Sequence, residues 1–155
     1  MDFELDKLNV ELMRLDGKRY HCSRILMILG LRLTGRENTD LIRSAAGLTV
    51  GLGHSNETCG ALLGGACLLG LHGGKGHDGE EESEWLRMAT RRLVEWFRES
   101  YSVENDAGLS SIRCSDILNR YGLKRCGQMI RGVYAQSLEL LTEFGVDVTT
   151  GRGES

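Results

Sequence analysis

The sequence predicts an all-α domain, a compact bundle of about six or seven helices around a central helix rich in glycine and alanine. Three observations lead there. Apolar residues recur every three or four positions along most of the 155-residue chain. No alternating, β-branched segment long enough to suggest a strand interrupts them. The breaks between periodic stretches fall on glycines and polar caps, in a chain without proline.

Leu5, Leu8, Leu12 and Leu15 give the first helix its stripe, widened by Phe3, Val10 and Met13, before a break at Asp16-Gly17-Lys18. A second helix from His21 to about Leu33 carries Cys22 in its first turn and Ile25, Leu26, Leu29 and Leu33 along its face. Gly35 suits the left-handed cap that ends it. Asn38 or Thr39 can cap a third helix bearing Leu41, Ile42, Ala45 and Ala46, whose pattern stops at Gly47.

The glycines at 47, 51 and 53 then suit tight turning or close backbone approach. Ser55 or Asn56 is the expected cap of the next helix, with Glu57 in its first turn and its end near Leu69. Gly60, Ala61, Gly64, Gly65 and Ala66 make that helix thin. Each internal glycine costs about 1 kcal/mol against alanine, so the helix makes sense only where neighbouring backbones pack closely upon it. Residues 72–79, with four glycines, are the clearest loop, and they lack the following Lys-Ser/Thr of a phosphate loop.

From Glu80 to about Tyr101 the pattern is a long amphipathic helix carrying Trp85, Leu93, Trp96 and Phe97, with acids expected in its first turns. Ser110 or Ser111 can cap a short helix containing Cys114, Ile117 and Leu118, ending at Tyr121-Gly122. Cys126 opens the last helix, with Met129, Ile130, Val133, Leu138 and Leu141. Residues 1–148 are thus expected to form one domain and 149–155 a flexible tail.

The charge pattern narrows the function classes. A formal net charge of −3, from 19 basic and 22 acidic residues mixed along the chain, gives no footprint for nucleic acid. The apolar stretch 48–71 is too interrupted by glycine and polar residues to insert into a membrane. Acids at Asp2 and Glu4 stand where an export signal would be basic, so a cytoplasmic location is expected.

The five cysteines, Cys22, Cys59, Cys67, Cys114 and Cys126, are odd in number and widely spaced, unlike an exported disulfide scaffold. None stands two residues from another, so any site must be assembled by the fold. Cys59 is expected in the first turn of its helix, where free N–H groups and the dipole favour a thiolate. Cys22, Cys114 and Cys126 also fall at helix starts, which raises a convergent four-thiol site above coincidence. Cys67 falls mid-helix, about 12 Å from Cys59 along the axis, and reads as core.

Cys22, the Gly51-Leu52-Gly53 turn, the run Cys59-Gly60-Ala61-Leu62-Leu63-Gly64, the long charged aromatic helix, and then Cys114 and Cys126 resemble the redox-active protein family of the C_GCAxxC type (C_GCAxxC_C_C signature). The resemblance covers about residues 18–142, with Cys67 additional to the four family cysteines. It departs at His21 and Ser23, where the family often has asparagine and alanine. It implies redox activity centred on Cys22, Cys59, Cys114 and Cys126.

Two versions follow. In one, those four cysteines bind an iron-sulfur cluster for electron transfer. In the other, Cys59 attacks and Cys22 or another thiol resolves a disulfide, with no cofactor. A zinc-stabilised structural or binding protein is a second class, with His21, His54, His72 and His77 as further donors. A helical interaction protein without site chemistry, using Trp85, Trp96 and Phe97 for packing or a homodimer face, is a third. An electron-donating or electron-accepting protein partner is expected only for the first class.

Overall fold

The structure, a computed structural model, describes residues 2–151, with side chains from residue 4 onward. Arg152–Ser155, most of the expected tail, and the Phe3 side chain lie outside the described residues. Within them the chain is an all-α bundle. Seven helices of six residues or more are α1 (Asp2–Gly17), α2 (Cys22–Leu33), α3 (Thr39–Ser44), α5 (Gly60–Gly73), α6 (Trp85–Tyr101), α7 (Cys114–Tyr121) and α8 (Lys124–Glu143). A 3-10 turn at Ala45–Leu48 and the single turn α4 (Thr49–Leu52) link α3 to the approach to α5.

The amphipathic patterns place the core as the periodicities require. Leu26, Leu68, Leu69, Leu93, Phe97, Val133, Leu140 and Leu141 are completely buried. α5 packs against α2, α6 and α8. Its glycines lie at the contacts: a Cβ at Gly64 would sit 2.8 Å from the Ser23 Cα of α2, and one at Gly65 would run into Val133 of α8 and lie 3.0 Å from Leu93 of α6. Gly73 likewise receives the Trp85 ring, which stacks on Phe144. Ser23, buried in α2, donates to the Ala45 carbonyl at 2.8 Å and ties the 3-10 turn to the bundle.

Several boundaries differ from the sequence reading. α1 buries Leu15 and half-buries Leu8 and Leu12, but Leu5, Val10 and Met13 are exposed, because the contact stripe is narrower than the apolar one. Asn38 does cap α3, accepting from the Leu41 N–H at 2.9 Å, and Gly35 does take the left-handed conformation, at φ +65°. α5 begins at Gly60, with Cys59 itself as the cap residue, rather than after Ser55 or Asn56. It also continues through His72 and Gly73, which belong to a buried helix end and not to the loop. The acids at 80–84 precede α6 instead of filling its first turn.

Ser110 and Ser111 form a two-residue strand β2, antiparallel to β1 (Val103–Glu104), and the cap residue of α7 is Arg113. Ser111 still serves that helix start: its hydroxyl accepts from the Arg113 N–H and donates to Asp116. A strand of two residues leaves no periodic trace.

The segment before α5 has an unusual backbone. Val50, Gly51, Leu52, Gly53 and His54 all have positive φ, between 51° and 65°. Glycine takes this conformation freely, whereas Val50, Leu52 and His54 each bear a cost of about 1–2 kcal/mol for it. A Cβ at Gly51 would lie 2.5 Å from the Glu57 nitrogen, so only glycine admits the returning chain. The turn is closed by N–H groups of Gly53 and His54 donating to the Thr49 carbonyl, and by Glu57 donating to Gly51.

Candidate functional site

The left-handed turn delivers residues 57–59 to the start of α7. Cys59 donates its N–H to the Ile112 carbonyl at 3.0 Å, Cys114 donates to Glu57 at 2.6 Å, and Thr58 pairs antiparallel with Arg113. Arg113 and Glu57 add an exposed ion pair at 3.3 Å. This short zipper brings together two cysteines remote in sequence. A different device recruits Cys22: Gly60 lies so close to α2 that a Cβ there would strike the Cys22 sulfur and come within 2.8 Å of the Leu48 carbonyl. The first turn of α8, where the Cys126 N–H donates to the Leu123 carbonyl, supplies the fourth thiol.

All four cysteines line one cavity of about 320 Å³. Its walls are otherwise mainly apolar, including Ile25, Val50, Ile117, Met129 and Ile130, and Asp16, His21 and Leu123 also contribute. Cys67 is not among the lining residues, in keeping with its place mid-helix. His21 is at the cavity, whereas His54 and His77 are exposed elsewhere and His72 is buried in α5 away from it. All five cysteines carry free thiols.

The electrostatics correct one expectation. Burial pushes the Cys59 thiol up from 9.0 to about 12; the Ala61 and Leu62 N–H groups pull the other way, and the neighbouring Cys22 and Cys114 add to the rise. The net rise corresponds to about 4 kcal/mol in favour of the neutral thiol. The dipole of a helix end offers about 0.3–1 kcal/mol to an anion and is outweighed. Cys59 is therefore a protonated, buried thiol and not a helix-activated thiolate. Cys126 is raised to about 11 by burial first, then by Cys22 and Cys114, with a smaller push from Asp16. Cys114 is raised by burial and by Cys22. Cys67 is raised by burial alone, which separates it electrostatically from the other group.

Burial and neighbouring thiols thus hold Cys59, Cys114 and Cys126 toward the neutral form in a mainly apolar cavity. Thiols are the donors that a soft metal centre takes. As the side chains stand, however, no three His, Cys, Asp or Glu residues among the described ones are gathered so as to hold a metal ion.

The family described as "Putative redox-active protein (C_GCAxxG_C_C)" matches residues 20–140. The chain belongs to this family. Membership in C_GCAxxG_C_C supports a redox role, and the matched region contains the whole cavity wall except Asp16. The central motif of the family name closes on glycine, the place Gly64 takes against α2, and here its cysteine and glycine stand in the order Cys59-Gly60. No curated protein and no solved structure matches the chain. No helix among the described residues is long and apolar enough to cross a membrane.

The sequence reading named the four cysteines but missed Asp16, Val50, Leu123 and Met129 as lining residues. Asp16 sits at the end of α1 and Leu123 between α7 and α8, where no periodicity points toward a cavity.

Proposed function

We propose that this chain is a redox protein whose electron-accepting centre is an iron-sulfur cluster in the four-cysteine cavity, with Cys22, Cys59, Cys114 and Cys126 as its ligands. The observation that carries this reading is the placing of the four thiols around one cavity, where burial opposes ionisation of Cys59 and Cys126. A bound cluster would supply a one-electron couple and the positive charge that lets the thiols ionise. The Ala61 and Leu62 N–H groups, which favour charge on the Cys59 sulfur, would help to set its potential. In this reading α5 is the hub of the bundle, its glycines letting α2 and α8 approach closely enough for their thiols to share one cavity.

A thiol/disulfide couple is the second reading, favoured by the packing of Cys22 against Gly60, the neighbour of Cys59. Oxidation of that pair would release two electrons and two protons. Its weakness is kinetic: with a pKa of about 12 for Cys59, roughly one molecule in 10⁵ carries the attacking thiolate at neutral pH. A zinc site is the third reading, with the same four thiols and His21 as its donors.

Purification without oxygen, followed by iron, sulfide and zinc analysis of the wild type beside Cys59→Ser, tests the proposal. Stoichiometric iron and sulfide with visible absorption, lost or bleached in Cys59→Ser, is expected. A colourless, metal-free native protein that reversibly forms one disulfide would replace the cluster by the dithiol couple. Stoichiometric zinc with no electron uptake would remove both.

A further inference from the structure

The rim of the cavity carries a charge pattern that the chain as a whole does not. Two segments reach it. From the end of α1 to the start of α2, Asp16 and His21 line the cavity and the exposed Lys18 and Arg19 lie between them in the chain. At the start of α8, Leu123 and Cys126 line it, with Lys124 and Arg125 between them in the chain. Both segments thus carry a basic pair between lining residues, in a chain whose net charge is −3.

Lys18, Arg19 and Lys124 form no ion pair among the described residues. Arg125 is held in place, its guanidinium 4.8 Å from the Tyr121 ring centre and 5.0 Å from that of Tyr101. Asp16 is the only acid among the lining residues. Leu123, which also lines the cavity, is 78% exposed and so offers an apolar contact at its mouth.

The geometry points to this rim as the docking surface for an acidic electron-transfer protein, which delivers one electron to the centre in the cavity behind it; this inference rests on the redox reading above. Leu123 supplies an exposed apolar contact, and Lys18, Arg19 and Lys124 supply exposed cationic charge on the same two segments. Charge of one sign beside an apolar contact speeds encounter with a partner of the other sign and fixes orientation without tight binding. The net negative charge of the remainder turns an approaching acidic protein toward this face. A polyanion such as nucleic acid would meet that same repulsion over a longer contact. In the transfer step, a reduced low-potential iron-sulfur or flavin protein loses one electron and the centre here gains it, with no bond made or broken.

The test uses the anaerobically prepared full chain and a reduced plant-type ferredoxin, small and acidic, as the probe. Stopped-flow absorbance gives the second-order rate constant of electron transfer at several ionic strengths. The double variant Lys18→Glu/Lys124→Glu is compared with wild type and with Lys75→Glu, an exposed lysine in the loop after α5. Reduction by photoreduced deazaflavin, a small donor with no need of the rim, is measured in parallel. The expected result is a rate that falls with salt in the wild type, and is about tenfold lower in the double variant at low salt, with the gap closing at high salt. Lys75→Glu is expected to keep at least half the wild-type rate, and all three proteins to accept electrons from deazaflavin. Equal protein-to-protein rates in the double variant and the wild type, with deazaflavin reduction intact, would overturn the docking surface alone. Failure of the wild type to accept electrons from either donor would overturn the redox reading and the docking surface with it.

Discussion

Cys59 shows how a single residue can be placed correctly from sequence and still be assigned the wrong electrostatics. Its position at the start of a glycine-rich helix is legible, because Gly60, Ala61 and Gly64 mark the thin helix that follows. Its burial is not, since that depends on Ile112 and Cys22 arriving from elsewhere in the chain. The consequence is testable by pH. A thiol whose folded pKa is raised, here from 9.0 to about 12, favours the folded state below pH 9, where both states hold the proton. Above pH 9 the unfolded chain ionises first, so that contribution is lost as pH climbs toward about 12. Denaturant titrations of the metal-free protein between pH 8 and pH 11 should show stability falling, with a smaller fall in Cys59→Ala. An equal fall in both proteins would show that another group governs the loss. Alkylation of native protein should leave Cys59 unmodified at neutral pH while modifying it after unfolding.

At the level of elements, the amphipathic helices were readable and the connections were not. α2, α6 and α8 follow from apolar periodicity, as does the Asn38 cap of α3. α5 was recognisable for the opposite reason, since its many glycines only make sense under close packing. The β1–β2 hairpin, the 3-10 turn and the left-handed turn each span too few residues for a period to show. The shift of the α5 start from Asn56 to Gly60 has the same origin: residues 57–59 pair with 112–114 across the fold, a contact that outweighs local capping preference. Close packing makes α5 intolerant of bulk. Gly64→Leu would drive a side chain into the Ser23 backbone and Leu26, and is expected to cost more than about 3 kcal/mol or to abolish cooperative unfolding. Gly70, with nothing within 4 Å of a Cβ, is the control: Gly70→Ala should match or exceed wild-type stability. An unchanged melting temperature in Gly64→Leu would refute the packing.

For the molecule as a whole, the bundle class and the set of four cysteines were both open to inference, whereas the shared cavity depends on long-range packing. No spacing in the sequence encodes the meeting of Cys22 with Gly60 or of Cys59 with Ile112. An occupant of the cavity would contact α2, α5, α7 and α8 together, so its binding energy acts on the entire fold. At a concentration 100-fold above its dissociation constant a ligand adds about 2.7 kcal/mol. For a chain of this size that raises the melting temperature by about 5–10 °C. Calorimetry of anaerobically purified protein before and after removal of iron should show a difference of that order, and coincident transitions would argue against a resident centre. The mirror-handed stretch from Val50 to His54 ties a local cost to long-range order. The pairing of residues 57–59 with 112–114 follows it directly and helps to offset its unfavourable dihedrals, so the anchoring that sustains this shape is also what joins two of the sulfur-bearing segments.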